Sequence, residues 1–387
     1  MASFTGTWNY PAPVRFGAGR LQELPDACGE LGISRPLLVT DRGLSSLSIT
    51  KDAVGVLDAA GLPTAVYSGV EGNPTGQMVT DGVTAFVDGD HDGVVAFGGG
   101  SALDVAKAIA MMVGQTRPLF DFEDRADWWT RIDPAGMRPL VAVPTTSGTG
   151  SEVGRASVIT DTSVHVKKII FHPGMLPGRV ICDPVLTAGL PRGVTAATGI
   201  DALSHNLEAW FAPGFHPLAD GIALEGIRLI HRHLLRACTA GDDIDARAGM
   251  MAASLMGATA FQKGLGAMHA MAHPIGAVVG AHHGLTNAVV MPFVLQANRP
   301  AIAGRAADLA RALDLPGHDF DALLGWVLEL RSALDIPSTL ADIGVTETQL
   351  PLLAKMATED PSAGGNPVPF DEDFSAALFA RAFSGEP

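Results

Sequence analysis

Asp201 and His205 stand four residues apart in GIDALSHNLEAW, so a helix over this segment carries both on one face and offers a carboxylate oxygen and an imidazole nitrogen to one ion. The same spacing joins His269 and His273 in GLGAMHAMAHPIG. GAHHGLTN adds His282 and His283, after a loop that Pro274 and Gly276 are expected to start. Helices bearing such pairs can converge on one ion and leave a coordination position open, the layout of a catalytic rather than a structural metal site. With no sulfur among the candidates, Fe²⁺ or Zn²⁺ suits the set. The plainer alternative is hydrogen-bonded core histidines, and the isolated His231, His233 and His318 are read that way; His216, before a proline, is assigned to a loop. Three paired clusters among Gly and Ala, which let helices approach closely, weigh against that alternative here. Met250, Met251, Met256, Met268 and Met271 read as core filling.

A second chemistry is suggested by Gly98, Gly99 and Gly100, which follow the apolar run GVVAF and precede SALDVAKAIA. They place bare backbone N–H groups at a strand-to-helix junction, where a phosphate can sit. Ser101, with Asp104 three residues on, reads as a capping pattern, and Leu103, Ala106 and Ala110 give the helix an apolar stripe. The spacing is not G-x-G-x-x-G, because Leu103 takes the place of its last glycine, and a plain turn has the same composition. PTTSGTGSE at 144–152 follows another strand, and its small hydroxylated residues fit a phosphate or ribose as readily as an ordinary loop. Asp41 ends the run PLLVT. A carboxylate there can accept from ribose hydroxyls and repel a 2′-phosphate, favouring NAD over NADP, or simply open the DRG turn.

The elements that must position these groups follow from the apolar cadence. PLLVT at 36–40, TAVYS at 64–68, GVVAF at 93–97, LVAVP at 140–144 and VICDP at 180–184 alternate with helical stretches, which predicts a parallel sheet. Beyond about residue 185, Ala-, Leu-, Met- and His-rich stretches at 191–211, 217–239, 246–263, 301–314 and 319–334 predict an all-helical half. Pro184 and Pro191 punctuate the changeover, and the expected domains are 1–185 and 186–387. DPSAGGNPVP at 360–369 is read as a loop between helices.

Composition narrows the partners. A length of 387 residues allows two or three domains, and 47% apolar against 17% charged residues excludes a disordered chain. The net charge of −15 repels nucleic acid and anionic lipid, so neither is expected as a partner. No apolar stretch reaches the roughly 18 residues that span a bilayer, and MASFTGTWNYPAPVRFG lacks a signal-peptide layout; the expected location is cytoplasmic. Cys28, Cys182 and Cys238 are too far apart for a metal clip and odd in number, which fits a reducing compartment.

Taken together, the two motif sets resemble the iron-containing, group III alcohol dehydrogenases, in which a dinucleotide-binding α/β domain with a parallel sheet precedes an all-α metal-binding domain. The resemblance covers nearly the whole chain and rests on FGAGRLQELP, GGGSALDVAKAIA, PTTSGTGSEV, ATGIDALSHNLEA, KGLGAMHAMAHPIGA, HHGLTNAVVMP and GGNP. It implies Asp201, His205, His269 and His283 as metal ligands, the last because it directly precedes Gly, with His282 a neighbour. It implies His273 beside the nicotinamide and substrate as a proton relay or substrate contact. For NAD it implies Gly98, Gly99, Gly100 and Ser101 at the pyrophosphate with Asp104 nearby, Thr145, Thr146 and Thr149 lining the cofactor, and Asp41 at the adenosine ribose. Lys167 falls where members often have a cofactor-contacting lysine, although one step of register would exchange it with Lys168. AFQKGLG, one residue shorter than the AFxNxxLG form, and ASVITD depart from the pattern in segments that face substrate in the family.

The activity so implied is reversible hydride transfer between NAD and a primary alcohol or its aldehyde, diols and hydroxy acids included, with neither domain sufficient alone. Lys263 and Arg155 can attract a substrate carboxylate, or Lys263 can lie on a solvated helix end. A homo-oligomer, dimer or higher, is expected. The rivals are a dehydroquinate-synthase-like lyase using NAD and metal, a metallohydrolase, and a noncatalytic nucleotide binder. The lyase type has Glu where Asp201 stands, and a hydrolase leaves the glycine turn and Asp41 unexplained.

Overall fold

A computed structural model of the chain describes residues 6–8, 12–164 and 166–385. Part of the opening segment read for a targeting layout lies outside the described residues. The chain divides into two compact units, Met1–Gly189 and Leu190–Pro387. Among the described residues no helix is long and apolar enough to cross a membrane.

The first unit runs through β1 (Gly6–Trp8), β2 (Val14–Phe16), α1 (Leu24–Glu30), β3 (Pro36–Asp41), α2 (Ser48–Ala59), β4 (Ala65–Val70), α3 (Gly76–Asp88), β5 (Gly93–Gly98) and α4 (Gly100–Met112). It continues with β6 (Leu140–Pro144), β7 (Ala156–Asp161), β8 (Val166–Phe171) and β9 (Arg179–Cys182). The main sheet has the order β1-β2-β9-β6-β5-β3-β4, with β1 antiparallel on its edge and the other six strands parallel. The expected α/β class with a parallel sheet is observed. Period-two alternation divides the strand residues between two cores. Leu37, Val39, Val94, Ala96, Leu140 and Ala142 face α3 and α4, while Leu38, Val95, Phe97, Val141, Val143 and Ile181 face α1 and α2. From β3 the chain crosses to β4, but from β5 it crosses to β6, so the topology switches between β3 and β5. At such a switch point the carboxyl ends of the strands splay their loops and leave a crevice. Asp41 and Gly98 end those two strands.

Two expectations in this unit need correction, and one pair of strands adds to them. VICDP is a strand only to Cys182, because the Asp183 carboxylate leaves the ladder to accept from Val185 N, Gly19 N and Leu21 N at 3.1, 3.1 and 3.0 Å. The antiparallel pair β7–β8 lies outside the main sheet and was not anticipated. Ser101 does not cap α4: Gly99 is the N-cap residue, Ser101 lies inside the helix, and among the described residues no side chain caps its start.

The second unit is helical: α5 (Arg192–Phe211), α6 (Pro217–Thr239), α7 (Ile244–Ala260), α8 (Ala267–Val279), α9 (His283–Ala312), α10 (Phe320–Ala333), α11 (Leu350–Thr358) and α12 (Glu372–Ser384). One core, including Leu203, Ile227, Met250, Met271, Phe293 and Leu323, joins them. The loop expected to start at Pro274 begins instead after Val279, since α8 continues through Pro274. Likewise α9 runs 30 residues through Pro292 and Pro300. A proline removes one helical N–H, and apolar burial on both helices outweighs that loss. Close approach of α9 to α5 depends on Gly284, where a Cβ would stand 2.3 Å from Ala197 O. This approach carries His283 to Asp201.

Candidate active site

Four helical positions build the centre of the second unit. Asp201 and His205 lie one turn apart on the buried face of α5, and His269 points in from α8. One ligand atom from each of the three lies within 4.8 Å of the others, and all three residues are buried. His283, at the first position of α9, is outside this group of three, but its Nε2 is 3.6 Å from Asp201 Oδ1. The His205 and His269 rings stack with centroids 4.7 Å apart, and Phe261 adds an apolar wall 5.1 Å from His205. Asn287, one turn beyond His283, donates its amide to Asp201 Oδ1 at 2.9 Å and lies 3.4 and 3.3 Å from the Nε2 atoms of His269 and His283. A carboxylate and imidazole acceptors gathered round one point, without sulfur, are a donor set that fits a divalent cation.

Two carboxylates stand behind the histidines. Glu208 Oε2 meets His269 Nδ1 at 2.6 Å, and Asp360 Oδ2 meets His273 Nδ1 at 2.8 Å. For His269, burial is the largest influence and lowers the pKa. Glu208, Asp201 and Asp360 together outweigh it and leave the pKa raised. For Asp360 burial is again largest and acts upward, yet the hydrogen bond and charge of His273, with Ser362, hold the carboxyl below its usual range. The His273 ring is 5.9 Å from that of His269 and stacks on His283 at 5.4 Å. His282 instead caps α9, accepting from Leu285 N at 3.4 Å. His216, as its loop position suggested, stands just before α6 and caps it through Ala219 N. Lys263 is not on a solvated helix end: its side chain is 3% exposed and its Nζ meets Asp220 at 2.6 Å. Arg155 stacks over Phe171 at 5.7 Å.

The three supporting residues were missed at the sequence level. Glu208 and Asn287 had a detectable signal, lying three and four residues after His205 and His283 respectively. Asp360 had none, because it reaches His273 from 87 residues away.

In the first unit, Gly98 has φ 150°, a region that favours glycine, and ends β5 beside Asp41. A Cβ at Gly100 would stand 2.6 Å from Thr149 Cγ2, and one at Gly99 would stand 3.3 Å from Thr146 Cγ2. Thr145 N donates to Gly98 O at 2.9 Å. The threonine loop therefore packs directly on the uncapped N-terminus of α4. Buried at this end of the sheet, Thr40 Oγ1, Thr145 Oγ1 and Ser147 Oγ have no hydrogen-bond partner among the described residues, as suits a polar ligand. Asp41 Oδ1 accepts from Leu44 N at 2.9 Å, so the turn role is filled by one oxygen. Asp104 faces Ser151 Oγ, Lys107 Nζ at 3.1 Å and Val158 N at 2.9 Å, bracing β7 against α4. Lys168 pairs with Asp161 at 2.9 Å, whereas Lys167 makes no ion pair among the described residues; burial lowers its pKa, and Asp104 opposes that.

Comparison with known proteins accords with both halves. The family model described as iron-containing alcohol dehydrogenase matches residues 11–184, and that for the C-terminal part of the Fe-containing alcohol dehydrogenase family matches residues 195–383. A 4-hydroxybutyrate dehydrogenase of Cupriavidus necator is 40% identical over 96% of this chain and 97% of its own. A 1,3-propanediol dehydrogenase of Klebsiella pneumoniae is 37% identical over 95% and 96%. The crystal structure of a 1,3-propanediol oxidoreductase superposes with a TM-score of 0.91 at 36% identity, covering 96% of this chain and 97% of that one. A sulfoacetaldehyde reductase from Bifidobacterium kashiwanohense, solved in complex with NAD⁺, gives 0.87 at 28% identity over the full length of both chains. These matches favour a dehydrogenase over the lyase rival.

Proposed function

The chain belongs to the iron-containing alcohol dehydrogenase family, an oxidoreductase family, and from that premise we propose that it is a metal- and NAD-dependent dehydrogenase of primary alcohols, diols or hydroxy acids, reducing the aldehyde in reverse. The observation that carries the reading is the convergence of Asp201, His205 and His269, with His283 alongside. In this reading residues 1–185 bind NAD and residues 186–387 bind the metal and substrate.

Asp201, His205, His269 and His283 would hold a divalent ion, Fe²⁺ before Zn²⁺. Bound there, the ion would supply Lewis-acid chemistry at the substrate oxygen, and NAD would supply the acceptor for the hydride of the carbinol carbon. The first N–H groups of α4, with Gly98, Gly99, Gly100 and Ser101, receive the pyrophosphate. Thr145, Thr146 and Thr149 line the cofactor, Lys167 contacts it, and the second oxygen of Asp41 accepts from the adenosine ribose. Asp104 acts at one remove, by bracing Ser151 and β7. His273 takes the hydroxyl proton on Nε2 and passes it to solvent, so alcohol and NAD⁺ become aldehyde, NADH and a proton. Function in the cytoplasm as a homo-oligomer completes the proposal. The names of the relatives support an alcohol with a second polar group on a short chain.

A screen of short alcohols, diols and hydroxy acids with NAD, on enzyme loaded anaerobically with iron, tests the proposal. Net NADH formation matched by aldehyde is expected. Turnover of any of them without net change in NAD would return the chain to the lyase class.

A further inference from the structure

We infer that Glu208 and Asp360 are matched positioning residues, each locking one histidine in the tautomer whose Nε2 carries a lone pair: His269 for the metal, His273 for the substrate proton. The inference rests on the proposed function and deepens it. An ionised carboxylate only accepts, so the 2.6 Å contact of Glu208 Oε2 with His269 Nδ1 requires the ring proton on Nδ1. The 2.8 Å contact of Asp360 Oδ2 with His273 Nδ1 requires the same there. In a neutral ring Nε2 is then bare.

Neither carboxylate is free to turn, because its other oxygen is pinned by a backbone N–H. Met268 N donates to Glu208 Oε1 at 2.7 Å, and Ser362 N donates to Asp360 Oδ1 at 2.8 Å. The surroundings are equally fixed. Asn366 accepts from Ala267 N at 3.2 Å and pairs with Asn298 at 2.8 and 2.9 Å, so Asn366 and Glu208 together satisfy the first N–H groups of α8. Glu208 is 6% exposed, which keeps water from substituting for it.

This double anchoring has an uncommon consequence. In Glu208→Gln the Met268 N–H demands the amide oxygen, so the NH₂ must face His269 Nδ1. That nitrogen then has to accept, and the proton moves to Nε2. Asp360→Asn does the same to His273. An alanine at either place leaves the tautomer free. The isosteric amide should therefore be at least as damaging as alanine, whereas a role in packing alone predicts the reverse.

The test compares wild type, Glu208→Gln and Glu208→Ala as metal-free proteins, reading Zn²⁺ affinity by competition with a chromophoric chelator and folding by thermal melting. Glu208→Gln should melt near wild type and bind Zn²⁺ roughly 10- to 100-fold more weakly, no better than Glu208→Ala. Asp360→Asn should keep wild-type Zn²⁺ affinity and an unchanged KM for NAD, while kcat falls roughly 10²- to 10⁴-fold, below that of Asp360→Ala. Amide variants that match wild type, or that outperform alanine at both positions, overturn the inference. Should Glu208→Ala fail to fold, Glu208→Gln against wild type and the Asp360 pair still decide it. Wild-type protein that neither binds Zn²⁺ nor oxidises any alcohol overturns the parent reading with it, whereas active wild type with unperturbed amide variants overturns this inference alone.

Discussion

Substituting Gly100 by alanine isolates the contribution of the glycine turn. The added methyl would stand 2.6 Å from Thr149 Cγ2, 2.8 Å from its Oγ1 and 3.1 Å from its Cβ. Thr149 is β-branched, so no rotation about χ1 clears all three atoms, and the threonine loop must move off the start of α4. Overpacking of this kind costs about 1–3 kcal/mol. If the displacement falls on the nucleotide site, that range corresponds to roughly 5- to 150-fold weaker NAD binding. Titration calorimetry with NAD measures it, with metal content and melting temperature as controls. The same contacts define a rescue: Thr149→Ala removes Cγ2 and Oγ1, so adding Gly100→Ala to Thr149→Ala should cost much less NAD affinity than Gly100→Ala costs the wild type. Wild-type NAD affinity in Gly100→Ala, or a double variant whose losses simply add, would refute the reasoning.

His269→Ala should lose metal and turnover yet bind NAD normally, because the proposed phosphate site lies in the first unit; metal analysis and NAD titration check both halves. Asp41→Asn keeps an acceptor for Leu44 N but removes the charge, so the ratio of NADP to NAD activity should rise, and an unchanged ratio would leave Asp41 as a turn residue only. His273→Ala should retain stoichiometric metal and lose roughly 10²–10⁴-fold in kcat, with a flatter pH–rate profile; a metal-free mutant beside a metal-loaded His283→Ala would exchange their roles. Glu152 is buried, and desolvation, only partly countered by its own backbone N–H and Lys107, raises its pKa to about 7. The native state therefore holds a proton that the unfolded chain releases above its ordinary carboxyl range. Stability is lost as pH rises from about 4.5 to about 7, by about 3 kcal/mol in all. Thermal melts should show Glu152→Gln gaining over wild type between pH 5 and pH 8; a constant difference would contradict this.

Much of the scaffold was readable because burial on both faces writes parallel strands as short apolar runs: PLLVT, GVVAF and LVAVP each became a central strand. β7 and β8 escaped because one face of each is half exposed, and VKKIIF carries two lysines. The continuation of α8 and α9 through prolines escaped for a different reason: it is decided by packing against neighbouring helices, which no local rule contains. Spacing of four on a helix exposed the pairs Asp201/His205 and His269/His273, and the same one-turn logic could have found Glu208 and Asn287. Asp360 could not be found that way, since tertiary folding alone brings the 360–369 loop under His273.

The most direct test of the account is turnover by metal-stripped wild-type protein, with NAD and a primary alcohol, before and after anaerobic addition of Fe²⁺. The account predicts no NADH formation without metal and recovery on reloading, with NAD affinity the same in both states. Full activity in protein shown by elemental analysis to hold no metal would contradict it.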